Sequence, residues 1–597
     1  MGAFKSAVIT KKGQELLAKV VAGTTKLEFT KIKVSDTKLS GDLASMTGIG
    51  TIKQEEKVAS VVRKNGSNVT VSASFSNQTL GQGYYVRNLG LYANDPQAGE
   101  ILYSISVADE STATADYMPP FNGIGVSSLM VDLVTAVSNA SSVKVNVDPT
   151  AGATVAQIVN LQEQIDDVKS FVGYESSDVY GVEVDFVNKK FTRLAGAENL
   201  TSGADFDKLA PWGGRKRCNL TNEGVMVAYR GETGYSEAGA TSATITKGTT
   251  EYPSGTKVQQ PLFYTKVVPV KSSVSSSGRG KKYDKARFYI SPTPKAGFKP
   301  VDGFLDDNGI LQDKIYLSAF EGSIFDTSAG AYLKADEQVA DFATDMLSSI
   351  AGAKPASGLT QNLTRANVRK LCTNRGKGWK SHNIFALTAT QWLILVEYAS
   401  MDAQSVIGQG VSTFTDDGST NMAVVTGATS GLGNGSGIDP NAGVDGKCSV
   451  SYRGEENLWG NIWTWLDAIN IYNDKASGVY NAFVKPYGEC KDDTTADGYK
   501  ALDFNIATGE GYISGFGYDE DHSDLFLCAE HNGASNLPVG DYYWNNNDGF
   551  RVASLGGRWT DGATCGAWYL DLNVTSSIRY RYVGGRLLYV PQTKISA

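Results

Sequence analysis

The sequence predicts a multidomain α+β chain, richer in strands and loops than in helix. Three observations carry that prediction. At 597 residues the chain exceeds what one hydrophobic core ordinarily organises. Its 65 glycines suit turns and extended segments more than helices. Period-two alternation recurs along most of its length, whereas helical periodicity is confined to a few stretches. The composition is globular, with 41% hydrophobic and 20% charged residues and a net charge of −8. That mild acidity argues against a nucleic-acid partner, which calls for a basic patch. No apolar run reaches the roughly 18 residues a membrane span requires, and Met1 to Val21 lacks the apolar core of a signal peptide, so no membrane insertion is expected. Six cysteines (Cys218, Cys372, Cys448, Cys490, Cys528 and Cys565) are widely spaced, none in a C-x-x-C pair, and are read as free thiols of a chain made in a reducing cytosol.

Residues 1–150 form the first predicted unit. Thr10 to Val21 reads as a short amphipathic helix, with Leu16, Leu17, Val20 and Val21 on one side and Gly23 closing it. Leu27 to Val34 alternates with one slip at Lys31, the mark of a bulge. Val69 to Phe75 and Ile101 to Val107 read as strands with one buried face. The helix ITKKGQELLA, the strand FTKIKVSD and the segment VRNLGLYA occur in the order found in the N-terminal domain of phage tail-fibre (tail-collar type) proteins, which this unit resembles. The resemblance implies that residues 1–150 attach the chain to a phage tail or baseplate.

Residues 151–173 are predicted to be a short coiled-coil linker. Ile158, Leu161, Ile165, Val168 and Val172 are spaced 3, 4, 3, 4, an a/d seam about two heptads long. So short a seam needs parallel copies tied together by neighbouring domains. Tail fibres of the resembled family are usually homotrimers, and the resemblance implies a homotrimer here.

Residues 174–345 read as β-rich. Val179–Phe186, Leu262–Val270, Arg287–Ile290 and Asp313–Gly322 carry strand patterns, and Ser236–Thr256 and Lys271–Lys282 carry loop compositions. In residues 346–597 two helices are predicted, Thr364–Thr373 and Thr388–Ala399. The glycine run of Gly431–Gly437 lacks the Lys and Ser/Thr of a phosphate-binding loop and reads as a flexible or insertion loop. Eight of the nine tryptophans follow residue 378, as expected of an irregular fold held by large side chains.

The segment 550–590 is unusual. It is dense in Tyr, Trp, Arg, Ser, Thr, Gly and Asn and contains no Lys, Glu or Gln. Surfaces that bind variable partners share this bias, because rigid aromatics supply contact area at low entropic cost and small polar residues supply adaptable hydrogen bonds. Ile578 to Tyr582 alternates Ile, Arg, Tyr, Arg, Tyr and is predicted to be a recognition strand with the arginines on one face and the tyrosines on the other.

Thr364–Cys372 with Gly376, Gln391-Trp392, Glu397-Tyr398-Ala399, the run Asn457-Leu458-Trp459-Gly460-Asn461-Ile462-Trp463-Thr464-Trp465, Gly556-Gly557-Arg558-Trp559 and Gly584-Gly585-Arg586-Leu587 follow one another as in a C-type lectin fold. The resemblance is to the variant shared by formylglycine-generating enzymes and the variable proteins of diversity-generating retroelements. In the enzyme two cysteines follow the Gly-Gly turn and bind copper. Here that loop holds Cys565 alone, which cannot make a two-sulfur site, so no catalytic residue, cofactor or metal is assigned. In the variable proteins, adenine-directed mutagenesis rewrites positions that here are Arg558, Thr560, Asp561, Thr564, Asp571, Val574, Ile578, Arg579, Tyr580, Arg581 and Tyr582. All are residue types that such mutagenesis can produce. Trp559, Gly562, Gly566, Tyr569, Leu572, Gly584, Gly585 and Arg586 are the expected frame between them. Tyr542, Tyr543, Trp544, Asn545, Asn546 and Asn547 are expected to form a secondary contact loop. The Trp544–Asp548 run is similar to a lectin calcium element, but it carries extra asparagines and lacks an upstream acidic partner; the Asp519–Asp524 cluster reads as a solvated loop.

The expected function is therefore that of a virion tail-fibre adhesin, made in the bacterial host cytoplasm, that binds a cell-surface protein or glycan. Competing expectations are the fibre of a phage-derived bacteriocin or contractile injection system, a formylglycine-type enzyme, and a polysaccharide depolymerase with paired carboxylates.

Overall fold

The computed structural model describes residues 4–593 apart from 64–67, 111–114, 122–126, 138–142, 146–173, 175–176, 240–254, 276–277, 337 and 440–442. The predicted coiled coil of 151–173 lies outside the described residues. What is described is mostly β-sheet with few helices. None of those helices is long and apolar enough to cross a membrane. The chain divides into two compact units, Met1–Asn160 and Leu161–Ala597.

In the first unit the helix is Lys11–Val21. Thr10 caps it by accepting a hydrogen bond from Gly13 N at 3.0 Å, which is why the chain turns helical there. Gly13 is required by close approach, since a Cβ would stand 2.2 Å from the Tyr103 carbonyl oxygen. Leu16 and Val20 bury into a core with Phe29, Ile32, Val71, Phe75 and Tyr103. The strand Leu27–Ser35 pairs with Asn88–Asp95, and its register shifts between Phe29 and Lys31, at the slip in the pattern. Ser128–Ala136, Asn68–Ser76 and Ser60–Arg63 make a separate three-stranded sheet.

Gly99–Val107 departs from expectation. Its residues from Ile101 to Ser106 are all buried, so both faces are covered. Ile101 and Tyr103 face the main core, while Leu102 and Ile105 pack with Ile49, Tyr92, Leu39, Leu43 and Met46 in a second, smaller cluster. A loop segment distant in sequence thus supplies the second cover, which strand periodicity does not report.

The second unit is built on three larger sheets and a buried helix, Ile384–Tyr398. Asn383 caps that helix by accepting from Ala386 N at 2.8 Å. The helix begins four residues before the predicted Thr388 because Ile384 to Leu387 are apolar on every side, and a helix buried all round shows no amphipathic start. The helix Arg365–Thr373 begins at its cap, Thr364. Strands from before and after residue 345 share sheets: Leu587–Tyr589 lies between Lys314–Ser318 and Trp379–Ser381. The predicted loop Lys271–Lys282 is partly strand. Tyr264–Val274 and Lys281–Ser291 form a long hairpin whose strand ends beside the turn are mostly Lys and Ser, so backbone pairing holds it where hydrophobic pattern is absent.

The eight-stranded sheet presents the segment of interest. Its centre is Trp463–Asp474, flanked by Val479–Val484 and Gly549–Leu555; Leu570–Val574, Tyr542–Asn545 and Gly509–Tyr512 follow outward. Val583–Gly584 joins in parallel at the start of Trp463–Asp474. All six cysteines are free, and five are buried.

Candidate functional site

The candidate face is assembled where three loops meet the start of the central strand. Gly556 and Gly557, at φ +95° and +80°, turn the chain out of Gly549–Leu555. A side chain at Gly557 would collide with Cys565, its Cβ lying 2.4 Å from Sγ. Trp559 then plugs inward beside Ile462 and Val411. It is held at both ends of its backbone: its N donates to Asn461 O (3.1 Å) and its O accepts from Phe414 N (2.8 Å). Arg558, on the other side of the chain, lies flat over Tyr582 at 3.8 Å and donates from Nε to Asp561 Oδ1 at 3.0 Å. The other oxygen of Asp561 accepts from Trp463 Nε1 at 3.1 Å. Tyr582 meets Trp463 edge-on at 4.8 Å and stacks on Tyr580 at 5.0 Å and 28°. Arg558, Asp561, Trp463, Tyr582 and Tyr580 are therefore one continuous arginine–aromatic cluster, its rings offset or edge-on in favourable geometry.

The predicted recognition strand is not a strand. Ile578 to Tyr582 runs through turns, with Ile578 N donating to Thr575 O (3.2 Å) and Val583 N to Tyr580 O (3.2 Å). Trp463 N takes the Tyr582 carbonyl at 2.9 Å, so the segment is pinned end-on to the sheet rather than added to its edge. Strand sidedness fails as a result. Tyr580 and Tyr582 do stack together, but Arg579 and Arg581 diverge to separate partners. Arg579 Nη1 donates to Asn362 Oδ1 at 2.7 Å, and Arg581 pairs with Asp416 and the Ser419 carbonyl. Arg581 holds the Asp416 carboxyl below its usual range.

The other predicted positions divide by burial. Arg558, Thr560, Asp561, Thr564, Ile578, Arg581 and Tyr582 are half-buried, and Arg579 and Tyr580 are exposed. Thr564 turns its hydroxyl inward to Asp561 O at 2.7 Å. Asp571 and Val574 are both buried at 7% exposure, contrary to a surface role, because Leu570–Val574 is an inner strand between Gly549–Leu555 and Tyr542–Asn545. In the secondary loop, Tyr542 and Trp544 are half-buried neighbours with rings 4.8 Å apart, and Tyr512 joins Tyr542 at 5.0 Å. Tyr543 and Asn545 point the other way and are fully buried; Tyr543 Oη donates to Ala507 O at 2.8 Å and Asn545 Oδ1 accepts from Asn473 Nδ2 at 2.6 Å. Alternation in the strand Tyr542–Asn545 sends every second residue inward. Asn546 is half-buried and bonded to Glu510 (2.9 Å), and Asn547 is exposed with Nδ2 on Asn573 O (2.9 Å).

Burial pushes the Asp571 carboxyl up to about 7; Asp561 adds to the shift, while the Asn573 N–H and Arg558 oppose it. The folded chain thus keeps the Asp571 proton to about pH 7, whereas the unfolded chain releases it near 3.8. The stability due to this group is full below about pH 4 and is lost as the pH rises through 7. Asp571→Asn, which keeps the acceptor for Asn573 N, is expected to flatten the fall in melting temperature between pH 4 and 7; a wild-type slope unchanged by the substitution would contradict this.

At three of the expected frame glycines a side chain has no room, whereas a Cβ at Gly562 meets nothing within 4 Å. A Cβ at Gly566 would stand 1.9 Å from the Asp541 carboxylate, at Gly584 2.6 Å from the Ala356 carbonyl, and at Gly585 2.4 Å from Val368. Arg586 is fully buried, and its Nη2 donates to the Glu456 and Asn457 carbonyls. Asn457 and Asn461 in turn donate to Glu321, whose carboxyl burial pushes up to about 8. Cys565 is buried, its thiol pushed well above the ordinary range by desolvation. Within the Asp519–Asp524 cluster, Asp519 accepts from Asp503 N and His522 N at 2.8 Å each, so that carboxylate serves the local fold rather than solvent alone.

Sequence reasoning did not place Trp463, Asp416 or Asn362 at this face. Trp463 stood out only as part of the Trp-Gly-Asn-x-Trp-x-Trp run. Asp416 lies in none of the segments that the sequence singles out. A cleft of about 590 Å³ elsewhere in this unit, lined by Arg369, Lys377, Trp379, Lys380, Asn383 and Asp467 among others, includes no residue of 550–590. Two of its cations are paired within the chain, Arg369 with Asp467 at 2.7 Å and Lys380 with Asp307 at 2.8 Å.

With this geometry in place, comparison with known proteins adds the following. Residues 1–156 match the family model of the phage tail-collar fibre protein N-terminal domain. The match spans 156 of the 597 residues. No curated protein matches the chain. Among solved structures, the Major Tropism Determinant U1 variant is similar at 12% identity and a TM-score of 0.22, over 68% of this chain and 78% of that one. The P3c variant is similar at 11% identity and a TM-score of 0.21, over 65% of this chain and 73% of that one. A superposition this loose transfers no residue roles.

Proposed function

We propose that the chain is a non-enzymatic phage tail-fibre adhesin. The N-terminal unit holds it on the tail, and the C-terminal unit, a C-type-lectin-type fold, binds a bacterial surface ligand through the face carrying Arg558, Asp561, Tyr580 and Tyr582. The family match of residues 1–156 supports attachment. The observation that carries the binding role is the arginine–aromatic cluster itself. Its outermost ring, Tyr580, is 37% exposed, while the layers beneath it are fixed by the buried frame. Exposed side chains can be exchanged there without refolding, whereas exchange at buried Asp571 or Val574 disturbs the inner strand. A homotrimer would present three such faces and raise weak single-site binding through effective concentration.

Tyr580→Ala tests the reading. Removing one exposed aromatic anchor is expected to weaken adsorption of assembled particles to susceptible cells about tenfold or more. Its thermal melt and its incorporation into particles are expected to stay as in the wild type, because Tyr580 is an exposed outer ring stacked on Tyr582. Adsorption equal to wild type would refute the assignment of this face.

A further inference from the structure

We infer that the ligand of this face is an acidic glycan, with a carboxylate seated on Arg579 and a sugar ring lying on Tyr580. The inference rests on the proposed adhesin role and adds the ligand class. It starts from charge. Arg558 is neutralised by Asp561 at 3.0 Å, Arg581 by Asp416, and Arg586 is buried with its bonds on backbone carbonyls. Arg579 differs from all three. It is exposed, forms no ion pair among the described residues, and its hydrogen bond goes to the uncharged amide oxygen of Asn362 at 2.7 Å. Asn362 has a left-handed backbone (φ 57°), a conformation that asparagine tolerates, and its amide fixes one arm of the guanidinium without cancelling the charge. A guanidinium held by one nitrogen keeps its other donors for a planar, two-oxygen acceptor, which a carboxylate provides.

The adjoining residue supplies the second half of the site. Tyr580 is backed on one side by Tyr582 at 5.0 Å, and Tyr582 is backed by Arg558, so the ring is held rigid while 37% of the residue remains exposed. A rigid, open aromatic ring is a platform for the C–H face of a pyranose. The loop that carries Arg579 also carries hydroxyls, those of Thr575 and Ser577 lying 3.2 Å apart, and the Asn362 amide is bonded to it through Arg579. The carboxylate bonded into this loop, Asp493, is held by the Ser576 hydroxyl at 2.7 Å. A protein partner calls for a desolvated pocket into which anchors insert. One open ring, one cation and hydroxyls on the same loop fit a sugar acid better.

The test uses the full chain on a defined array of uronate-bearing and neutral oligosaccharides. Two variants remove the charge in different ways. Arg579→Gln deletes it, and Asn362→Asp leaves Arg579 in place but gives it a carboxylate partner at a backbone position that tolerates aspartate. The wild type is expected to bind uronate-bearing members, with each variant losing that signal about tenfold or more, and with melting curves unchanged. Binding to neutral members alone, binding to none, or uronate binding that survives Asn362→Asp would overturn the inference. Adsorption to cells separates it from the adhesin reading. If Tyr580→Ala abolishes adsorption while Asn362→Asp leaves it intact, the face is the binding site but the ligand is not an acidic glycan. Loss of adsorption after protease treatment of the cells would likewise replace the glycan with a protein.

Discussion

Arg586→Met is expected to destabilise the C-terminal unit by about 3–5 kcal/mol, as removal of one member of a buried charged network does. Arg586 is fully buried, and its guanidinium gathers the Glu456 and Asn457 carbonyls on one nitrogen. Its own backbone joins the same assembly, since His382 N donates to Arg586 O at 2.9 Å and Leu587 N to Ser318 Oγ at 2.8 Å. Methionine fills the space but leaves both carbonyls unpaired and removes the positive charge near Glu321. Arg586→Lys should recover only part of the loss, because one ammonium nitrogen cannot also make the contact of Arg586 Nη1 with the Ser318 carbonyl at 3.4 Å. Denaturant titration followed by tryptophan fluorescence reports on this unit specifically, as all nine tryptophans follow residue 160. A midpoint unchanged in Arg586→Met would show that the frame does not depend on this residue.

Trp463→Ala is expected to cost about 3–5 kcal/mol and to abolish ligand binding together with it. The indole, 8% exposed, is the hub of the face. Tyr582 packs on it at 4.8 Å, Tyr569 at 6.2 Å and the Arg558 guanidinium at 5.6 Å, and its Nε1 fixes Asp561. Without it Asp561 loses one of the three hydrogen bonds to its carboxylate, Arg558 loses one of the two rings it lies over, and the Tyr580–Tyr582 stack loses its support. Trp463→Phe separates the two contributions. It keeps a ring against Tyr582 and loses the Asp561 bond, so a cost of about 1 kcal/mol is expected. Binding that persists in Trp463→Ala at wild-type affinity would mean that the cluster is not the recognition surface.

Much of the scaffold was legible in the chain because its signals are local. The helices read as Thr10–Val21 and Thr364–Thr373 are found as Lys11–Val21 and Arg365–Thr373, each starting one residue later because the threonine is its cap. The slip at Lys31 announced the register shift in Leu27–Ser35. Glycines that had to be glycine were separable from the positions between them, and the structure gives the cause: at Gly566, Gly584 and Gly585 a Cβ has no room. Each of these features depends on bonds within a few residues or on the mere absence of a side chain.

The arrangement of the face was not legible, and the five residues Ile578 to Tyr582 show why. Their alternation is a strand pattern, yet among the described residues they form no strand and meet the start of Trp463–Asp474 end-on, where Trp463 N donates to the Tyr582 carbonyl. Whether Asp571 and Val574 face solvent depended on which strand came to lie outside Leu570–Val574, and Tyr542–Asn545 took that place. The partners that decide the charges are remote: Trp463 lies 98 residues from Asp561, Arg581 165 from Asp416, and Arg579 217 from Asn362. Composition alone therefore determined that the last segment is rich in aromatics and glycine and free of lysine. Only the folded chain decided which arginine keeps its charge, because neutralisation is set by distance in space and local spacing does not encode it.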